Sequence, residues 1–374
     1  LKTQRSSFFI RLLLLLNIIS ITFLLLSYLA GYIPPDGNFW WLQIFGLIYG
    51  VLVSINIFFI ILWIVLRNKI FLFSLIAVLI GIGRIFSVVQ PGFFLTEKPV
   101  IKNNNSQIKV MSFNVRVFDL YNWSHKHELK DKILEFLKQE TPDVVCFQEY
   151  FTSERYDYDY RMNDVLKMII PAQYYYAEYT TTLHDDLDHW GIAAFSKYPI
   201  VNRQTVHFQP GGNALIYIDI LAGSDTLRII NTHLESIRFR NEDYKFIENF
   251  ATEKKEDELN NSLSILRKMK HAYMKRAQQV NILKNEITKS RYPVIVCGDF
   301  NDPPGSYTYN SLSEGLTDSF RESGKGFGKT YAGSFPSFRI DYILHSKQLK
   351  SFSYKTYHEN LSDHYPISCL IEKK

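Results

Sequence analysis

Cysteine is scarce in this chain, three residues in 374, and no two of them stand in a C-x-x-C spacing. That excludes a thiolate metal site of the usual kind. Cys146 (V-V-C-F), Cys297 (V-I-V-C-G) and Cys369 (I-S-C-L) each fall in a strand-like apolar run, where a free thiol packs as a small hydrophobe. A chain of this size needs no disulfide framework, so the count leaves the redox compartment open. An excess of one charge is missing as well. Residues 1–97 hold six basic and two acidic residues, which leaves 36 and 35 for residues 98–374. The overall +5 therefore sits mainly in the apolar N-terminal part and gives no sign of a nucleic-acid-binding surface. Near-neutrality is still compatible with phosphate chemistry, because a bound cation can supply the positive charge. No internal repeat is visible.

Long apolar runs, by contrast, are plentiful at the N-terminus. Residues 8–32 contain one charge, Arg11, and from Leu12 the run is long enough to span a bilayer core. A cleaved signal peptide would also begin this way, but it does not explain the two further runs, Phe39–Leu66 and Ile70–Gln90. The expectation is a membrane domain over residues 1–90 with three transmembrane helices, about 12–32, 39–66 and 70–90. Arg5, Arg11 and the Arg67-Asn68-Lys69 turn mark the cytoplasmic side, while Ile33–Asn38 carries no basic residue. Trp40 and Trp41 suit the outer interface, and Arg84 is an anomaly inside the third run. This predicts a multi-pass protein of the cell membrane whose remaining chain is extracytoplasmic, on the periplasmic side. Residues 91–107 read as a linker.

Beyond the linker, strands and helices alternate. Ile108–Val117, Asp143–Phe147, Ile192–Phe195, Leu215–Leu221, Leu227–Thr232, Val294–Cys297, Arg339–His345 and Pro366–Ile371 have strand patterns. Gly211-Gly212-Asn213 reads as a turn. Glu128–Gln139 and Leu259–Ile287 have helical spacing. The pattern points to a layered α/β domain over residues 108–374. In P-V-I-V-C-G-D-F-N-D-P (Pro293–Pro303) a buried strand delivers Asp299 and Asn301 two residues apart, on one face if the backbone stays extended. A carboxylate beside a carboxamide suits a phosphate: one takes a proton or holds a cation, the other holds an oxygen or a water. An Asx-rich turn closing a strand is the plain alternative.

Other polar residues share this placement at strand ends: Asn114, Glu149, His233, Asp341, and the Asp363-His364 pair. Taken singly, each is accounted for as a cap, a backbone-bonded histidine or an ion pair with Arg339. Taken in order, S-F-N-V-R, F-Q-E, N-T-H-L-E-S, G-D-F-N-D, R-I-D-Y-I-L and S-D-H-Y-P resemble the endonuclease/exonuclease/phosphatase superfamily over about residues 108–372, and are similar to its bacterial multi-pass membrane members. The resemblance implies a four-layer α/β/β/α sandwich and Mg²⁺- or Mn²⁺-dependent hydrolysis of a phosphodiester. It implies Glu149 as the main metal carboxylate, with Asn114 beside it and Asp363 contributing. It also implies an Asp341–His364 pair, with Asn301 and His233 on phosphate oxygens. Either that pair or Asp299 activates the water.

Three other segments stand apart from this set. Leu183–Trp190 (L-H-D-D-L-D-H-W) reads as a solvated loop rather than a second metal site, with His189 turned toward substrate. Ser323–Thr330 (S-G-K-G-F-G-K-T) lacks the first glycine and the helix of a nucleotide-binding loop. Ser236–Glu258 is a charged insert, an exposed excursion or a lid. Two substrate classes stand open. Arg116, Arg203 and Tyr150–Tyr160 would serve a nucleic acid, whereas a tether to the lipid bilayer favours a phospholipid headgroup. A non-catalytic binding module is the third reading, and it leaves the complete polar set without a purpose.

Overall fold

A computed structural model describes residues 2–92, 107–125, 128–156, 158–171, 173–208, 212–239, 242–243, 246, 255–333 and 338–374. Most of the expected linker and much of the charged insert lie outside them. The N-terminal runs form α1 (Lys2–Ala30), α2 (Leu42–Leu47), α3 (Tyr49–Val65), α4 (Phe71–Ile80) and α5 (Ile82–Val88). Three full-length spans are not what they form. Among the described residues only Phe8–Ala30 is a single helix long and apolar enough to cross a membrane. The second run breaks at Ile48, leaving α3 with 17 residues, and the third bends by 67° between α4 and α5. The bend has a packing cause. Tyr28 of α1 donates to the Ala77 carbonyl (2.9 Å), and a Cβ on Gly81 would lie 2.3 Å from its ring. Arg84, just past the bend, turns back onto α1 and donates to the Ser27 carbonyl at 3.1 Å.

These helices pack inside-out. Asn17, Ser20, Asn56 and Ser74 are buried, while Phe9, Leu15, Ile57, Phe58, Phe73 and Ile80 are exposed. Asn17 Nδ2 donates to Ser74 Oγ (2.6 Å), Trp63 Nε1 donates to Asn17 Oδ1 (2.8 Å), and Asn56 Nδ2 donates to the Ser20 carbonyl (3.2 Å). One end of the bundle sits on the rest of the chain. Tyr307 N donates to Gln43 Oε1 (3.0 Å), and Arg339 Nη2 donates to the Ser87 carbonyl (2.8 Å). A two-residue strand β1 (Val89–Gln90) pairs with Gly326–Phe327. From this end α3 carries the chain about 26 Å away, to the Arg67–Lys69 turn.

The larger part is a sandwich of two six-stranded mixed sheets. One contains β2 (Ile108–Asn114), β3 (Val144–Ser153), β4 (Tyr174–Leu183), β5 (Asp188–Ser196), β13 (Leu349–Thr356) and β14 (Ile367–Lys373), in the order β13-β14-β2-β3-β5-β4. The other contains β6 (Ile200–His207), β7 (Ala214–Ala222), β8 (Asp225–His233), β9 (Val294–Asp299), β10 (Leu316–Asp318) and β12 (Asp341–Ser346), in the order β10-β12-β9-β8-β7-β6. Between the sheets, Val110, Cys146, Ala194 and Cys369 pack against Ile218, Ile229, Cys297 and Ile343. The outer faces are covered by helices. α6 (Leu129–Glu140) and α7 (Met162–Ile169) lay Ile133, Phe136 and Leu166 on the first sheet; α8 (Lys255–Thr288) and α9 (Tyr307–Ser313) lay Val280, Leu283 and Leu312 on the second. The expected helix/sheet/sheet/helix layering is present.

The pattern-based reading missed β4, β6, β10 and β13, and these four are the edges of the two sheets. An edge strand faces solvent along one side, so its sequence lacks a buried apolar run: β6 reads I-V-N-R-Q-T-V-H.

Candidate active site

The two sheets each contain one parallel pair, β2 with β3 and β8 with β9. Their carboxyl-terminal ends converge on one edge of the sandwich and carry Asn114, Glu149, His233 and Asp299. Asp341 opens β12 directly opposite Asp299 in the antiparallel ladder. Gly298 is required by close approach: a Cβ there would lie 2.1 Å from the Thr232 carbonyl oxygen of the neighbouring strand.

Glu149 reaches the site through a bulge. The register of β3 against β5 shifts between Phe147 and Tyr150, and Glu149 takes φ 47°. Phe147 and Tyr150 both pack under α6 and α7; simple alternation would have turned one of them inward and Glu149 outward. Beside the bulge, Gln148 Nε2 donates to Asn231 Oδ1 (2.7 Å), and Asn231 Nδ2 donates to the Phe147 carbonyl (2.9 Å). This amide pair ties the sheets together next to the site. Asn114 does the same within it, donating from Nδ2 to Glu149 Oε1 (3.3 Å) and Asp299 Oδ2 (3.1 Å). Past Asn114 the expected strand ends, because Arg116, Val117, Phe118 and Asp119 all have positive φ. Four such residues in a row is strained backbone, held here by the burial of Val117, Phe118 and Asp119.

His364 faces two carboxylates. Its Nδ1 lies 3.0 and 3.2 Å from the oxygens of Asp341, and its Nε2 lies 3.7 Å from Asp299 Oδ2. Asp341 is fixed in turn by Thr330, whose Oγ1 accepts from the backbone N–H of Ile340 (2.9 Å) and Asp341 (3.0 Å). Burial works against charge on the His364 ring, but the Asp341 and Asp299 carboxylates override it and hold its pKa well above the ordinary histidine value. Burial raises the pKa of Asp299; His364 opposes that shift and Asp341 adds to it. His233 Nε2 completes the group, 3.6 Å from Asp299 Oδ2 and 4.0 Å from Glu149 Oε1.

Asn301 arrives differently from the extended-strand expectation. Its φ is 53°, its N–H donates to Asp299 Oδ1 (2.8 Å), and its side chain donates to the Leu234 carbonyl (3.0 Å). The Asx turn and the site placement are thus the same feature. Asp363 lies at the rim, 3.3 Å from Arg116 Nε, and the Arg116 guanidinium stacks 4.8 Å from the Trp123 ring. Glu149, Asp299, Asn301, Asp363 and His364 line a cavity of about 370 Å³, with Tyr331 beside them. Glu149 and His233 also border a second cavity of about 250 Å³, with Trp190 and Asn213.

His189 is not brought to this group. It is buried, its ring stacks on Tyr179 at 4.4 Å, and it lines neither cavity. Its neighbour Trp190 points the other way and does line the second. Tyr150 is likewise buried in the core, and Arg203 lies over Tyr176 on an edge strand. Leu183–Trp190 is the tip of the β4–β5 hairpin, where Asp188 is paired with Arg155 (2.5 Å) and His184 (2.8 Å). Thr330, Asn231 and Gln148 went unremarked in the sequence; hydroxyls and amides that act through backbone or through one another carry no charge pattern to find them by.

Two overlapping donor sets suit a cation. Ligand atoms of Asp299, Asp341 and His364 all lie within 4.8 Å of one another. In that set, however, Asp341 already holds His364, and Asp299 already accepts from Asn114 and Asn301. The Glu149 carboxylate is 38% exposed, with Asn114 Nδ2 at 3.3 Å and His233 Nε2 at 4.0 Å from Oε1. It is the freer oxygen donor, and a carboxylate open to retained waters fits Mg²⁺ or Mn²⁺ better than a softer metal.

The sequence pattern of the Endonuclease/Exonuclease/phosphatase family matches residues 111–364, and a second pattern, described as a domain of unknown function, matches residues 10–88. No curated protein matches. Among solved structures, the chain is similar in fold to an endonuclease/exonuclease/phosphatase family protein from Bacteroides thetaiotaomicron (16% identity, 73% of this chain and 100% of that one, TM-score 0.52). It is similar also to one from Bacteroides vulgatus (16% identity, 72% and 100%, TM-score 0.52) and one from Beutenbergia cavernae (16% identity, 72% and 72%, TM-score 0.51). With more than half of its length matched and the strand-end polar set gathered at one cavity, the chain belongs to the Endonuclease/Exonuclease/phosphatase family.

Proposed function

We propose that the chain is a membrane-anchored, divalent-metal-dependent phosphoesterase that hydrolyses phosphodiester bonds. The observation that carries this reading is convergence. Eight polar residues spread from 114 to 364 in the sequence meet at one end of the sandwich: Glu149, Asp299, Asn301, Asp363 and His364 line one cavity, and Asn114, His233 and Asp341 stand directly against them. Glu149, with Asn114 beside it, would hold Mg²⁺ or Mn²⁺, which supplies positive charge to a phosphoryl oxygen. Asp341 orients the His364 imidazole through Nδ1 and so aims Nε2 into the cavity. Asp299, which lines the cavity, would take the proton of the attacking water. Asn301 and His233 would donate to nonbridging oxygens as charge builds on them. Purified full-length protein should hydrolyse bis(4-nitrophenyl) phosphate with Mg²⁺ or Mn²⁺ and stop on adding EDTA. Glu149→Ala and His364→Ala should each lower turnover by at least ~10²-fold in protein that remains folded; near-normal rates in either would contradict the assignment.

The anchor is the N-terminal bundle. A bundle with Asn and Ser inside and Leu, Ile and Phe outside is arranged for lipid rather than water. The contacts of Asn17 with Ser74 and Trp63 favour α1 as a retained helix over a removable signal. By the positive-inside rule the Arg67–Lys69 turn faces the cytoplasm, and the catalytic domain, docked at the far end of the bundle, is extracytoplasmic. A reporter fused after Lys98 should be active only outside; activity confined to the cytoplasm would reverse this orientation.

A further inference from the structure

We propose that the ester cleaved at this site is amphiphilic, with its phosphoryl group at Asp299 and His364 and an aliphatic chain seated on an apolar wall that the membrane bundle helps to build. This rests on the phosphoesterase reading and names its substrate class. The cavity of about 370 Å³ has two unlike sets of lining residues. Glu149, Asn301 and His364 form one. Leu47, Phe239, Ile265 and Met269 belong to the other, from three separate parts of the chain: the end of α2, the insert after His233, and α8.

Leu47 is there by construction. The segment Pro303-Pro304-Gly305 runs directly from Asn301 to the bundle. A Cβ on Gly46 would lie 2.7 Å from the Gly305 carbonyl oxygen, and one on Gly305 would lie 2.2 Å from that of Gly46. Two backbones in such contact leave no slack, and the Gln43–Tyr307 hydrogen bond fixes their register. The residue after Gly46, Leu47, is thereby held in the wall of the cavity, on a segment flanked by the exposed apolar residues Trp41 and Val51. A chain leaving the bilayer along the bundle meets Leu47 before it meets His364.

The charge pattern agrees. Among the described residues lining this cavity the one Lys or Arg is Arg238, itself 3.3 Å from Glu235. A polynucleotide brings a charge per nucleotide and needs a run of cations to neutralise it; a lipid phosphate ester brings one phosphate and an apolar tail. Each buried methylene is worth roughly a fourfold gain in affinity, so seating four of them predicts a gain of about a hundredfold or more.

The test uses full-length protein in detergent with Mg²⁺ and a series of alkyl 4-nitrophenyl phosphodiesters, from methyl to dodecyl, each below its own micelle concentration. kcat/KM should rise at least about a hundredfold along the series and then level off. The dodecyl-to-methyl ratio should collapse toward one in Leu47→Asp and, independently, in Met269→Asp; a ratio is insensitive to a fraction of misfolded enzyme. A flat series, a ratio that survives both substitutions, or a thymidine oligonucleotide cleaved faster than the dodecyl ester would overturn the apolar subsite while leaving a phosphoesterase. Failure to hydrolyse any ester would overturn both readings.

Discussion

Asp341→Asn isolates what the carboxylate does for His364. Both oxygens of Asp341 lie within 3.2 Å of Nδ1, so that nitrogen carries a proton and Nε2 is the atom left to face Asp299. An asparagine keeps the shape but offers an NH₂ in place of one oxygen. The charge-assisted bond is worth about 1.5–3 kcal/mol, or roughly 10–100-fold in rate. The amide also tolerates the other tautomer or a rotated ring, which removes Nε2 from its working position; together these predict a fall in kcat of ~10³-fold or more. KM should stay within about threefold, since neither atom holds the ester. Thermal stability should fall by no more than that bond's about 1.5–3 kcal/mol, because Asp341 and Asp299 face each other across the ladder and removing one buried charge relieves their repulsion in part. Steady-state kinetics on bis(4-nitrophenyl) phosphate with Mg²⁺, beside a melting curve, gives all three quantities. A kcat within tenfold of wild type would refute the orienting role; a lost fold would move the residue from chemistry to structure.

Two further outcomes concern stability. Arg339 is buried, paired with Asp318 at 2.7 and 3.0 Å, and bonded to the bundle through Ser87; Arg339→Met strands that carboxylate and should cost about 3–5 kcal/mol, roughly 10 °C of melting temperature, with Arg339→Met/Asp318→Asn recovering most of it. A double variant no better than the single one would contradict the pairing. Burial pushes Glu322 upward, but His345 and the N–H and O–H of Ser351 pull it down to about 2. Its folded pKa being below the unfolded one, its contribution is present above about pH 4.5 and lost as pH falls toward 2. With the group half-exposed, Glu322→Gln should cost only about 1–2 kcal/mol near pH 7, and the gap to wild type, followed by denaturant melts, should close below about pH 3.

Much of the fold was legible because its central strands are buried on both faces. Val110, Cys146, Ile229 and Cys297 lie in runs that no amphipathic helix would tolerate, and each run leads to a polar residue that the fold brings to one end of the sandwich. What escaped the sequence has specific causes. The edge strands look polar because they are half-wet. Glu149 was identified by its motif, yet the bulge that aims it is a matter of register, invisible without β5 alongside. His189 and Trp190 exchanged parts because alternation within β5 depends on knowing which face is the core. The three-span expectation counted hydropathy alone, and hydropathy does not register that Gly81 must make room for Tyr28 or that Gly46 meets Gly305. Leu47 is the extreme case. Nothing in a hydrophobic run of the first hundred residues says that one of its leucines lines the same cavity as Asp299 and His364.

The polar clasp between the sheets has a consequence of its own. Asn114 and Glu149 belong to one leaf of the sandwich; His233, Asp299 and Asp341 belong to the other, and the Asn114–Asp299 and Gln148–Asn231 bonds close the two together. Neither leaf holds the whole of the machinery. On the phosphoesterase reading, a nascent chain with one sheet folded is chemically silent, and hydrolysis waits until the leaves meet. Turnover would then double as a readout of tertiary packing, and any agent that wedges the leaves apart should extinguish it before a single strand is lost.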